Sequence, residues 1–247
     1  MNSAPRTEVH FPSGDTTIAA LHYPGTNGAC VVMACGTGVT KEPGTDPFAP
    51  RLQAAGFSVL AFDFRRLGAS GGTPRQLVRV DDQVADYGAA IGFARTLPEV
   101  EPPRVAIWGF SLAGGHVLRV AAAHPELAAA IAQAPLADGL AISPNAMRSM
   151  SAGAAMRLQL AAAADLLGRW LLRRPPRVVY DGDRTVLTGP SARAAQRAPR
   201  GEVVHLPGDH YAAFADARDA TLDAEIAFLS RHLVSAAGLE PVRARAA

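Results

Sequence analysis

The sequence predicts one α/β domain over residues 1–247, with a mostly parallel central sheet, helices on both faces and a short helical cap. Short apolar runs typical of buried strands alternate with amphipathic helical patterns along most of the chain. With 247 residues, of which 49% are hydrophobic, the chain can bury the core of one such domain. The alternation stops over residues 140–174, which are rich in alanine and leucine, and this segment predicts the cap.

The chain opens with a predicted antiparallel hairpin and a first buried strand. Residues 7–11 and 16–23 are strand-like runs on either side of the turn formers at 12–15. The apolar run 29–34 predicts a central strand, and it ends in a glycine-bearing loop at residues 35–42. Such a loop, at the end of a parallel strand, lies where sites form in sheets of this class.

Helix and strand patterns then alternate through the next part of the chain. Residues 47–55 predict a short helix that stops at Gly56, and residues 57–64 predict the next strand. Residues 80–97 predict an amphipathic helix, because apolar residues share one of its faces: Val84, Tyr87, Ile91 and Ala94.

The most informative stretch is a predicted strand, residues 105–108, that turns sharply into a helix ending near His124. The turn reads Gly109-Phe110-Ser111-Leu112-Ala113. A serine on such a turn needs small neighbours, because its backbone is strained and the helix must pass close to the strand. This is the pattern of the nucleophile elbow, G-x-S-x-G, with alanine in place of the last glycine. The alternative is an ordinary strand–turn–helix with an incidental serine.

Strand and helix patterns resume on either side of the predicted cap. Residues 128–132 and 177–180 predict strands, and the second runs into an Asp-Gly-Asp turn at residues 181–183. The remaining predictions are a helix, the last strand and a closing helix, at residues 190–198, 202–206 and 217–234. The alternative for residues 140–174 is a pair of packing helices that covers no site.

Composition and cysteine usage exclude several classes of protein. A formal net charge of +2 gives no reason to expect a nucleic-acid partner, and the most apolar long window, residues 152–172, carries too many charges for a membrane span. Cys30 and Cys35 lie an odd number of residues apart on one apolar run, so they face opposite sides and form no disulfide. Together with the polar first ten residues, this predicts a cytoplasmic protein. The sequence has no zinc-type Cys/His spacing and no phosphate-binding G-x-x-x-x-G-K motif.

Several groups that suit nucleophilic catalysis follow predicted strands, at the edge where sites of parallel sheets form. Ser111 needs a base within hydrogen-bond reach, and His210, after the last predicted strand, is the best candidate. The imidazole needs a carboxylate behind it that fixes its tautomer, and Asp183 and Asp181 compete for this role.

A developing oxyanion also needs backbone N–H donors, and the sequence predicts those of Leu112 and Thr37. Each side chain has a plainer interpretation as well: His210 as a surface histidine, and Asp181 and Asp183 as turn formers. The order Ser…Asp…His along the chain, with each residue after a strand, favours the catalytic interpretation.

Three motifs resemble the α/β-hydrolase superfamily and, within it, the dienelactone-hydrolase and prolyl-oligopeptidase-like branch. They are Gly36-Thr37-Gly38-x-Thr40-Lys41-Glu42, Asp63-Phe64-Arg65-x-x-Gly68-x-Ser70-Gly71-Gly72 and Gly109-x-Ser111-x-x-Gly114-Gly115-His116. The resemblance covers nearly the whole chain and implies the α/β-hydrolase fold, with no metal or cofactor. It implies these site residues: Ser111 as nucleophile, His210 as base, Asp183 as acid, with Asp181 as the alternative, and Thr37 and Leu112 as oxyanion donors.

Three residues depart from the pattern of that branch. Cys35 stands where the branch usually has histidine, Arg66 stands where glycine is common, and Ala113 replaces the last glycine of the elbow.

We therefore expect a serine hydrolase that cleaves a carboxylic ester or thioester through an acyl-enzyme. Its partner is a small-molecule acyl substrate, with no nucleic acid and no membrane, and a homodimer is left open. One alternative within the same chemistry is an acyltransferase or thioesterase of polyketide biosynthesis, a role that the resemblance includes. The alternative from a different class is a catalytically silent, hydrolase-like binding module, which the departures at Cys35 and Arg66 suggest.

Overall fold

Six strands of the described chain form one mixed sheet. The computed structural model describes residues 5–136, 156, 180–181, 184–185 and 211–234. The strands are β1 (Thr7–Ser13), β2 (Thr16–Tyr23), β3 (Cys30–Ala34), β4 (Ser58–Phe62), β5 (Val105–Phe110) and β6 (Ala129–Gln133). Their order in the sheet is β1-β2-β4-β3-β5-β6. The first two pairs are antiparallel and the other three are parallel, which confirms the entry hairpin and the mostly parallel sheet.

Helices cover both faces of this sheet, as predicted. They are α1 (Lys41–Thr45), α2 (Ala49–Ala54), α3 (Val80–Ala94), α4 (Leu112–Ala123) and α5 (Arg218–Leu229). On one face, α3 and α4 bury side chains such as Tyr87 and Val117. On the other face, α2 and α5 bury side chains such as Leu52 and Leu222. A π-helical turn, Ser230–Val234, continues α5 to the predicted end of the closing helix.

The central strands are buried on both faces, and this is why their sequences are continuously apolar. Every residue of β3, β4 and β5 is buried. Because successive side chains of a strand point to opposite faces, Cys30 joins the core beneath α3 and α4, whereas Cys35 joins the core beneath α2 and α5. Both thiols are buried and free, as their spacing predicts.

Apart from shifts of a few residues at the ends of elements, such as β1, which extends through Ser13, the described structure differs from the prediction in two places. Residues 41–45, which begin within the predicted loop 35–42 and continue past its end, form the short helix α1, within which the Thr45 hydroxyl donates to the Lys41 carbonyl at 2.6 Å. The predicted strand 177–180 is described only at its end, where β7 (Tyr180–Asp181) pairs antiparallel with β8 (Arg184–Thr185) in a separate two-stranded sheet. Two strands only two residues apart pair locally far more readily than distant ones.

Several predictions fall on other parts of the chain. The cap at residues 140–174, apart from the helical Met156, lies outside the described residues, as do the helix 190–198 and the strand 202–206. The single domain over residues 1–247 therefore stays a prediction. Within the part of the chain that is described, no helix is long and apolar enough to cross a membrane.

Candidate active site

Ser111 lies on a strained turn between β5 and α4. Its backbone has φ +56° and ψ −117°. Residues other than glycine rarely adopt this conformation, which costs them on the order of 1–3 kcal/mol. Three backbone hydrogen bonds hold this conformation: Ser111 N–H donates to Gln133 O at 3.0 Å, and Ser111 O accepts from Leu136 N–H at 2.8 Å and from Gly115 N–H at 3.1 Å. The neighbouring strand β6 and the segment after it therefore hold the strained conformation. A serine without a function at this turn would not require such a conformation.

Close contacts between β5 and α4 explain the small residues around the serine. A methyl group added at Gly109 would lie 2.5 Å from the carbonyl oxygen of Ala113, and one added at Gly114 would lie 3.0 Å from Gln133 O. Ala113 itself is buried in the core beneath α3 and α4. The tight approach is thus made at positions 109 and 114, and the elbow accommodates alanine at position 113.

The loop after β3 lies directly against Ser111. A methyl group added at Gly36 would lie 2.8 Å from Ser111 Cβ and 3.3 Å from its Oγ. The pairing of Ala34 with Gly109 brings the ends of β3 and β5 side by side, so both loops leave the same edge of the sheet. The Gly36–Val39 segment is a turn, in which Val39 N–H donates to Gly36 O at 3.3 Å and Gly38 has φ +71°.

The two predicted amide donors flank the serine. Thr37 follows Gly36 in this turn, and Leu112 is the first residue of α4. The N–H of a first helical residue has no acceptor inside its own helix, and it carries part of the positive end of the helix dipole. The structure therefore brings together the Thr37 loop, Leu112 and Ser111, while the role of the two amides stays a prediction.

Aromatic side chains connect the elbow with the chain that follows His210. The Phe110 ring packs against Phe214 and Tyr211, with centroids 4.5 and 5.9 Å apart. Phe110 immediately precedes Ser111, and Tyr211 immediately follows His210 in the sequence. His210 and Asp183 themselves lie outside the described residues, and Asp181 is described only as part of β7. The assembly of the triad stays a prediction.

A buried carboxyl group behind the elbow was not predicted from the sequence. Glu225 Oε1 accepts hydrogen bonds from Trp108 Nε1 at 3.0 Å and from Gln133 Nε2 at 3.2 Å. Burial raises the pKa of Glu225 to about 8. The available signal is its spacing, since Glu225 lies three residues after Leu222 and four before Leu229, on the inward stripe of the closing helix.

His116 is a structural residue, as its place within the elbow helix suggests. It is fully buried, and its Nε2 lies 2.8 Å from Gln83 Oε1. Burial, with a smaller contribution from Arg119, lowers the pKa of His116 to about 4, so the ring is neutral near pH 7. The position of its Nε2 on Gln83 makes it a poor candidate for the base of Ser111.

Two of the residues that depart from the family pattern, Cys35 and Arg66, lie in well-defined surroundings. Burial raises the pKa of the Cys35 thiol to about 12, and Cys35 packs against Gly44, where an added methyl group would overlap Sγ. Arg66 has φ +68°, a conformation that favours glycine, and its Nη1 forms an ion pair with Asp82 Oδ2 at 2.5 Å.

The sequence matches a known protein family and several known proteins. Residues 27–201 match the family model described as serine aminopeptidase, S33. The quorum-quenching protein AidA of Acinetobacter baumannii (strain MDR-ZJ06) is 38% identical over 200 residues, which cover 78% of this chain and 64% of that protein. A thiohydrolase of Eupenicillium brefeldianum is 33% identical over 135 residues, which cover 54% of this chain and 44% of that protein. The chain thus spans less than two thirds of the length of these relatives.

A solved structure has a similar fold. The crystal structure of the α/β hydrolase GrgF from Penicillium sp. sh18 superposes with a TM-score of 0.58 at 26% sequence identity. The match covers 79% of this chain and 65% of that one. The matches do not single out the dienelactone-hydrolase branch, which stays a prediction.

Proposed function

The chain belongs to the serine aminopeptidase S33 family of α/β-hydrolases, and we propose that it cleaves carboxylic esters or thioesters through a Ser–His–Asp acyl-enzyme mechanism. The family confirms the predicted α/β-hydrolase fold. The observation that carries the proposal is the strained Ser111 at the carboxyl end of β5, with the Gly36 turn packed against its side chain.

In the proposed first step, His210 takes the proton from Ser111 Oγ as the oxygen attacks the carbonyl carbon. The negative charge on the carbonyl oxygen is stabilised by the backbone amides of Thr37 and Leu112. Collapse of the tetrahedral intermediate breaks the ester or thioester bond, and His210 returns the proton to the departing alcohol or thiol. Asp183 orients the imidazole and stabilises its charged form.

In the second step, water attacks the acyl-enzyme and His210 accepts its proton. Collapse of this second intermediate breaks the bond between the acyl carbon and Ser111 Oγ, and His210 returns the proton to Oγ. The products are the carboxylic acid and free Ser111. An alcohol in place of water would give a new ester, which is the transferase variant of the same chemistry. The thiohydrolase among the relatives supports a thioester as one substrate class.

The packing of Phe110 against Tyr211 supports the role of His210, because these two rings belong to the residue before Ser111 and the residue after His210 in the sequence.

Turnover of p-nitrophenyl acyl esters and matched acyl thioesters tests the proposal. We expect Ser111→Ala and His210→Ala to lower kcat by at least about 10³-fold, because the nucleophile and its base act as a unit. Asp183→Asn should impair turnover far more than Asp181→Asn, which serves as the matched control; the reverse ranking would assign the acid role to Asp181. Retained turnover in Ser111→Ala would contradict the mechanism.

A silent binding module is the competing function, and the same assays separate the two. Such a protein would turn over neither substrate class in the wild-type form. Addition of a simple alcohol to the active enzyme then distinguishes transfer from hydrolysis, because transfer yields the ester of that alcohol instead of the free acid.

A further inference from the structure

A buried ion pair closes the loop that carries Thr37. Lys41 Nζ lies 2.9 Å from Asp63 Oδ2, and the two side chains are only 5% and 1% exposed. The backbone N–H of Lys41 also donates to Asp63 Oδ1 at 2.7 Å. Two charges buried in this way are stable only while they stay in contact, so the pair fixes Lys41 relative to Asp63.

Asp63 is itself fixed to the sheet, directly after β4. Its Oδ2 accepts from Ala69 N–H at 3.0 Å, and its carbonyl oxygen accepts from the Ser70 hydroxyl at 2.7 Å. A methyl group added at Gly68 would overlap Oδ2, so the turn encloses the carboxylate tightly. The ion pair therefore anchors Lys41 at a rigid point.

The loop between β3 and α1 is held at both ends. It leaves the sheet at Ala34, which pairs with Gly109 of β5, and it ends at Lys41, the first residue of α1. Between these ends lie Thr37 and the preceding Gly36, which contacts Ser111. A shift of the Lys41 end would therefore move the Thr37 amide relative to the serine.

We propose that Lys41 and Asp63 are positioning residues for the oxyanion hole. Through the loop, their ion pair sets the place of the Thr37 N–H relative to Ser111 Oγ, and neither side chain needs to touch the substrate. The inference rests on the proposed function, since an oxyanion forms only if Ser111 attacks a carbonyl group. Donors must be placed to within a fraction of an ångström to stabilise such a charge.

The first test is Lys41→Met, measured with a p-nitrophenyl ester. We expect kcat to fall by about 10- to 100-fold while KM changes by less than about threefold, because oxyanion contacts act on the transition state. The affinity for an alkylboronic acid should fall by a similar factor, because its tetrahedral adduct with Ser111 places an oxygen in the oxyanion position. Lys41→Arg, which keeps the cation, should recover part of both.

Arg65→Met is the matched control, because it breaks another buried ion pair in the same region. Arg65 Nη2 lies 2.7 Å from Asp86 Oδ1, with side chains 10% and 0% exposed, and it also donates to Ser13. We expect a comparable drop in Tm, with kcat within about twofold of the wild type. If Lys41→Met does not fold, the double variant Lys41→Met/Asp63→Asn removes both charges and carries the same expectation.

Two results would overturn the positioning role: wild-type kcat and boronate affinity in the folded Lys41 variant, or an equal loss of kcat in Arg65→Met. A wild-type protein that neither cleaves the ester nor binds the boronate overturns the proposed function as well. The two failures are therefore distinguishable.

Discussion

Ser111, the proposed nucleophile, has a backbone conformation that only glycine adopts without strain. A positive φ also occurs at Arg66, where φ is +68° and the side chain forms an ion pair with Asp82. Strain alone therefore does not identify a site. At Ser111 it coincides with the carboxyl end of a central strand and with the Gly36 turn, and this coincidence points to catalysis.

The strain predicts that the serine reduces the stability of the fold. We expect Ser111→Gly to be more stable than Ser111→Ala by about 1 kcal/mol, because glycine adopts φ +56° without a side-chain clash. Both variants lack the hydroxyl, so the difference reports the backbone alone. Urea unfolding measures it, and an alanine variant at least as stable as the glycine variant would contradict the strain.

Among the secondary-structure elements, the packing of α4 on β5 fixes the geometry of the site. Gly109 and Gly114 bring the helix close enough for Ser111 to project from the turn between them. On the opposite face, α5 places Glu225 against Trp108 of β5 and Gln133 of β6. Gln133 also accepts the Ser111 N–H through its carbonyl oxygen, so the closing helix supports the elbow indirectly.

The close approach of α4 predicts opposite effects for two glycine-to-alanine changes. Gly109→Ala should destabilise the protein by about 1–3 kcal/mol, because the new methyl group meets the Ala113 carbonyl and, at 2.8 Å, the Tyr87 hydroxyl. Gly92→Ala should stabilise it by about 0.5–1 kcal/mol, because Gly92 lies in α3 and, apart from the nearby backbone of this helix, no atom lies within 4 Å of the added methyl group. Thermal unfolding of both variants compares them, and a Gly109→Ala variant at least as stable as the wild type would refute the packing of the elbow.

The buried Glu225 predicts a dependence of stability on pH. Its pKa is about 8 in the folded protein against 4.5 as the ordinary value, so between these limits the folded state binds more protons than the unfolded state. The free energy of unfolding should therefore decrease as the pH rises from about 4.5 to about 8, by at most about 1.4 kcal/mol per pH unit.

Glu225→Gln removes this titration while it keeps an oxygen acceptor for Trp108. We expect the variant to gain stability relative to the wild type as the pH rises through this window, measured by urea unfolding at several pH values. The pKa of His116 is lowered to about 4, so protonation of its ring favours unfolding as the pH falls below 6.5. This effect is the same in both proteins. Parallel curves for the two proteins would mean that Glu225 does not titrate in this range.

For the molecule as a whole, the sequence predicted those elements whose pattern lies within one short stretch of the chain. The buried strands, the amphipathic helix α3 and the elbow all carry their signal within one short stretch. The Gly36 turn and Ser111 meet because parallel strands end at one edge, a rule that the alternation of strands and helices already implies.

Contacts between distant residues account for the features that the sequence did not predict. The sequence of α1 contains Pro43 and Gly44, which suggest a turn, but the contact between Gly44 and Cys35 packs this segment against β3. Strand β1 extends through Ser13, a predicted turn residue, because its hydroxyl donates to the buried Asp86 at 2.8 Å. The burial of Glu225 depends on the packing of α5 against Trp108, which lies 117 positions away in the sequence.

Labelling of the native protein with a fluorophosphonate probe tests whether Ser111 is an activated nucleophile. We predict one adduct per chain, mapped by peptide mass spectrometry to the peptide containing Ser111, loss of ester turnover in proportion to labelling, and no adduct in Ser111→Ala. An unlabelled wild-type protein, or an adduct that persists in Ser111→Ala, would contradict the assignment of this serine as the nucleophile.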